Sequence, residues 1–167
     1  MDELARAQNA VEVDSGKIDE VVSLIIKPYC ENLDYYVRFI ADILKNGENP
    51  PTTQELEDFC LNLSTQIYFA GGLCENLGVR DDIAKALYKE QYHSSRNSLQ
   101  KGTVADKDSQ ALLQSQNEMI VSMSYTRAYK TMKAKVDAAQ ELLSSCKKVL
   151  SHRIQEEQLT HMMGDKI

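Results

Sequence analysis

Apolar side chains recur every three or four residues along most of this chain, the spacing that lines one face of an α-helix. From Ile18 the series Val21, Val22, Ile25, Tyr29, Leu33, Tyr36, Val37, Ile40, Ile43 and Leu44 predicts a first helix. Pro28 lies inside it and lacks an amide hydrogen, so a kink or break is expected near Lys27. Asn46-Gly47-Glu48-Asn49-Pro50-Pro51 supplies the stop. Thr52-Thr53-Gln54-Glu55 then reads as a capping box, a threonine oxygen accepting from first-turn amides while the glutamate reaches back. Leu56, Phe59, Cys60, Leu63, Ile67, Ala70, Leu73 and Leu77 continue this second helix. Gly71-Gly72 within it predicts close packing or a bend, and Gly78 is placed for a position just past its end. Asp81-Asp82 suits the positive start of a third helix, running to about Gln100 and stopping at Gly102.

From Ala105 to about Met162 there is neither proline nor glycine. A single helix of that length would span about 87 Å, too long for one small domain to cover. Tyr125, Tyr129, Met132, Val136, Ala139, Leu143, Cys146 and Leu150 alternate by four and three, a coiled-coil seam whose partner is another subunit or the helix of residues 17–45. The fold class expected is therefore all-α: a helical bundle with a long C-terminal helix forming a coiled-coil-like seam and no β-sheet. Residues 1–16 read as a mobile arm or short helix, 17–101 as a three-helix region, and 103–163 as the long helix for oligomerisation. The last dozen residues are expected to fray.

With 167 residues, 43% hydrophobic and 26% charged, the chain is of single-domain size and can bury a core. No apolar run reaches membrane-spanning length, and the acidic Met1-Asp2-Glu3 start is unlike a secretory signal, so a soluble intracellular protein without a membrane partner is expected. Cys30, Cys60, Cys74 and Cys146 lie far apart and read as small apolar core residues. His93, His152 and His161 show no zinc-ligand spacing beside them, and neither a metal nor a cofactor is expected. There is no G-x-S-x-G elbow, phosphate-cradling glycine loop or H-E-x-x-H, and no Cys-His pairing; catalysis is not expected and no catalytic residue is assigned.

Charge divides the chain. Residues 1–82 carry a net −10 and residues 83–167 a net +4, within a total of −6. The basic half is a candidate binding surface, although the two halves could equally neutralise each other. Lys85, Lys89 and Arg96 recur near one helix face with Tyr88, Tyr92 and His93 beside them, cations mixed with stacking faces as single-stranded nucleic acid requires. Arg127 and Lys130 begin a second basic stripe running through Lys133, Lys135, Lys147 and Lys148 to Arg153; Lys133, Lys135 and Lys147 flank the seam, where charges commonly pair across an interface.

Ala86-Leu87-Tyr88-Lys89 through Tyr92-His93-Ser94-Ser95-Arg96, followed by Thr103-Val104-Ala105-Asp106-Lys107-Asp108 at the opening of the long helix, resembles the UvsY-type recombination mediators of tailed phages over about residues 84–154. The resemblance implies a homo-oligomeric protein, cytoplasmic in the host cell if phage-encoded, that binds single-stranded DNA and helps load a RecA-like recombinase onto strands coated by single-strand-binding protein. It implies DNA contacts by Lys85, Lys89 and Arg96, and assembly through the seam from Tyr125 to Leu150. The family's Lys-x-Arg pair is absent, Lys89 being followed by Glu90-Gln91, and the first 80 residues are longer and more acidic than the family suggests. The alternative is a helical structural or adaptor protein, a virion or scaffold component that binds protein partners and not DNA.

Overall fold

The computed structural model describes residues 3–45 and 50–164. They form four helices: α1 (Glu3–Lys45), α2 (Thr53–Ser98), α3 (Val104–Gln114) and α4 (Gln116–Gly164). There is no strand among the described residues, so the chain is an all-α helical bundle. No described helix is long and apolar enough to cross a membrane.

The element boundaries correct the sequence reading at several points. α1 begins at Glu3, so the stretch read as an arm or short helix is continuous with the helix expected from Ile18. It also passes through Pro28 without a break, because the ring removes only one backbone bond while the flanking turns keep theirs. The stop signals at 46–49 lie outside the described residues. α2 starts as the capping box requires: the Glu55 carboxylate accepts from the Thr52 amide at 2.7 Å, and the Glu55 amide donates to Thr52 Oγ1 at 3.2 Å.

The second and third expected helices are one. α2 runs through Gly78 to Ser98, and the only described residue with positive φ is Gly102, at 114°, in the loop before α3. Gly78 is therefore no C-cap; a Cβ there would lie 3.3 Å from the Tyr129 ring, so glycine allows that ring to approach the helix backbone. Gly71 and Gly72 have no atom within 4 Å of a Cβ, so close packing does not account for them. Conversely, the single long helix is divided at Ser115, whose φ/ψ of −104°/13° leaves the helical region. Its hydroxyl donates to the Ala111 carbonyl at 2.8 Å, where its own amide also donates at 3.0 Å, a local back-bond that bends a helix. Because Met119 N–H still donates to the Ser115 carbonyl at 3.0 Å, the interruption stays confined to one turn.

These helices pack as two compact units, Met1–Pro28 with Cys74–Met132, and Tyr29–Leu73 with Lys133–Ile167. The core of the first is built largely from small side chains: Cys74, Ala84, Ala111 and Ala128, with Ser95, Ser115, Ser122 and Ser124, joined by Val22, Ile26, Leu77 and Met132. Small residues let helix backbones approach closely but remove less apolar area from water per residue. The second is richer in large aliphatics, burying Leu33, Ile40, Leu56 and Leu63 together with Cys30, Val136, Ala139 and Cys146. There Phe39 of α1 stacks on Tyr35 and meets Phe59 of α2 edge-on at 6.0 Å.

The seam is filled from inside the chain. Met132, Ala139 and Cys146 have no exposure, Val136 is buried, and Tyr125, Tyr129, Leu143 and Leu150 are half-buried. Of the residues assigned to an interface between subunits, Met132, Val136, Ala139 and Cys146 are thus core positions of this chain, while the other four keep part of their surface open. Of the flanking lysines, Lys135 donates to both carboxylate oxygens of Asp34 on α1, at 2.7 and 2.6 Å, while Lys133 and Lys147 are exposed. The cysteines are core as expected: Cys30, Cys74 and Cys146 are buried and Cys60 is half-buried. Burial pushes the thiols of Cys30, Cys60 and Cys146 above their ordinary values, which keeps them protonated and poorly nucleophilic.

Candidate functional site

Most of the cations expected to meet nucleic acid hold a carboxylate of their own chain. Lys85 Nζ lies 2.6 Å from Asp81, one turn back on α2. Asp81 is 3% exposed and also accepts from Thr126 Oγ1 of α4. Burial alone would raise this carboxyl, but the hydrogen bonds from Lys85 and Thr126, with the charges of Lys85 and Lys130, outweigh it and hold the group below its ordinary value. The same contact, chiefly the hydrogen bond to Asp81, raises Lys85. Lys85–Asp81–Thr126 is therefore a clasp between α2 and α4.

A second clasp closes the turn from α2 to α3. Arg96 Nε and Tyr92 Oη both donate to Asp108 Oδ1, the tyrosine at 3.1 Å. Burial, then the bond to this carboxylate, pushes the Tyr92 hydroxyl above its ordinary value. The Tyr92 ring also stands edge-on to His93 at 5.4 Å. Tyr88 is half-buried. Thr103 caps α3 through a full capping box with Asp106, so the Thr-Val-Ala-Asp segment of the family resemblance is structurally a helix start.

Two of the predicted residues do come together on an open surface. Arg127 and Lys130 line a hollow of about 400 Å³ on α4 with Ser122, Met123 and Thr126. Arg127 pairs with Asp19 of α1 at 3.2 Å, but both side chains are more than half exposed, so the pair is worth little and can be exchanged for another anion. Lys130 is exposed and, like Lys89, has no ion pair among the described residues. Two cations beside hydroxyls form a small anion-accepting surface. Among the described residues there is no cluster of His, Cys, Asp and Glu that could hold a metal ion.

An open apolar groove was not expected. A groove of about 380 Å³ runs along α2 and α4, lined by Arg80, Ile83, Ala84, Leu87, Asn117, Glu118, Val121 and Tyr125. Ile83 and Leu87 are each 54% exposed and Val121 is 50% exposed. Val79, one turn earlier on the same α2 face, is exposed as well. Glu118 Oε2 is shielded from solvent and has no hydrogen-bond partner. The α2 side of this groove was legible as Val79, Ile83 and Leu87 at spacings of four, outside the buried stripe; the α4 side depends on packing between residues 30 or more positions apart, Asn117 and Leu87 being the nearest in sequence. No family model, curated protein or solved structure matches this chain.

Proposed function

We propose that this chain is a helical structural or adaptor protein that acts by docking protein chains on its exposed helix faces. The observation that carries the reading is the contrast within one helix pair. Lys85 is clasped to a buried carboxylate and Arg96 to a partly exposed one, whereas Ile83, Leu87 and Val121 stand half exposed around an open groove. Intramolecular ion pairs reduce the positive potential available to phosphates, and a contiguous apolar groove is what a protein partner covers.

Single-strand DNA binding, as in the mediators the sequence resembles, is the second reading. It is favoured by the hollow that Arg127 and Lys130 share, with Lys89 as a further exposed cation. Fluorescence anisotropy of a labelled single strand at low and moderate salt, with the protein's mass measured on the same sample, separates the two. The adaptor reading expects no strand binding and an association that a charge at Leu87 abolishes. Salt-sensitive strand binding that a Lys89→Glu/Lys130→Glu pair removes would overturn it in favour of a mediator that loads a recombinase, since each neutralised phosphate releases counterions.

A further inference from the structure

The contacts Gly78–Tyr129 and Asp81–Thr126 set α2 and α4 antiparallel in this part of the bundle. Continuing that register places Val121 beside Leu87 and carries Glu118 beyond it, while Arg80 lies at the opposite end with Tyr125. At 1.5 Å per residue the two charges stand about 14 Å apart along the groove, with Ile83, Leu87 and Val121 between them. The groove is thus apolar in the middle, cationic at one end and anionic at the other. Resting on the adaptor reading, we propose that the protein chain docked in this groove is a second copy of the same chain, related by a twofold axis through its apolar middle.

Such an axis exchanges the two ends, so Arg80 of each copy faces Glu118 of the other. A uniformly basic helix would meet Arg80 and a uniformly acidic one Glu118; the inverted copy meets an opposite charge at both ends. Arg80 keeps its own contact, because a guanidinium carries five N–H donors. Ile83, Leu87 and Val121 lose the half of their surface that is now wet.

Sedimentation velocity across a concentration series tests this on the full chain. The wild type is expected to dimerise, and Leu87→Glu, at a site exposed enough to leave folding intact, to remain monomeric with an unchanged circular dichroism spectrum. Arg80→Glu and Glu118→Arg each set like charges against each other at both ends and weaken the dimer by about tenfold or more. The combined Arg80→Glu/Glu118→Arg chain regains most of the loss, which a merely destabilised fold would not. A monomeric wild type at roughly 100 µM, where even weak specific pairs are populated, overturns the proposal, as does a combined variant no better than the single ones. If a photo-crosslinker at position 87 then captures only a different protein, the second copy is wrong and the adaptor reading stands. If it captures none, both fall.

Discussion

Asp81 shows how a side chain on the surface of its own helix becomes structural once a second helix covers it. Removing its charge with Asp81→Asn weakens the bonds to Lys85 and Thr126 and is expected to cost about 1–3 kcal/mol near neutrality. The folded carboxyl titrates below its unfolded value, so its contribution is present above about pH 4 and is lost as pH falls through the folded pKa. Denaturation curves of wild type and variant should therefore converge below pH 4; a gap constant from pH 3 to 7 would contradict the clasp. Glycines divide by the same logic. Gly72→Ala has open space around its new methyl and is expected to stabilise α2 by about 1 kcal/mol through helix propensity. Gly78→Ala gains the same propensity but must displace the Tyr129 ring, so its melting temperature should lie below that of Gly72→Ala. The i, i+4 pair Asp81 and Lys85 was legible in the sequence, but Thr126, 45 positions away, was not.

At the scale of the element, the starts of α2 and α3 were legible from their caps, whereas the starts of α1 and α4 were not. Both capping boxes satisfy amides that a helix leaves open at its N-terminus, and a threonine with an acid three residues on announces them locally. Thr103→Ala removes the α3 cap and is expected to cost about 0.5–2 kcal/mol, with faster hydrogen exchange confined to the first turn of α3. Gly78 reads like a stop in the sequence because glycine serves equally at a C-cap and under an aromatic ring. The choice between them lies with Tyr129, on another helix. Ser115 is the converse case: serine in a helical pattern carries no instruction to bend until its hydroxyl turns back to Ala111, a choice allowed by full burial at that position.

For the molecule as a whole, the pairs Lys85–Asp81, Arg127–Asp19 and Lys135–Asp34 each join a cation of residues 83–167 to a carboxylate of residues 1–82. In the anisotropy experiment the chain is expected to leave a single strand unbound at moderate salt, since Lys85 and Arg96 have carboxylates of their own; tight binding there would restore those cations to the interface. The sequence by itself determined the all-α class, the principal α4 seam and the burial of its cysteines, because apolar periodicity and helix caps act within a few turns of the chain. Tertiary structure alone decided that the seam is filled internally, that Lys85, Arg96, Arg127 and Lys135 hold Asp81, Asp108, Asp19 and Asp34, and that Ile83, Leu87 and Val121 border one groove. Each of these depends on which helix face meets which. That is settled by the best total burial and pairing over residues far apart in the chain, and no local pattern encodes it.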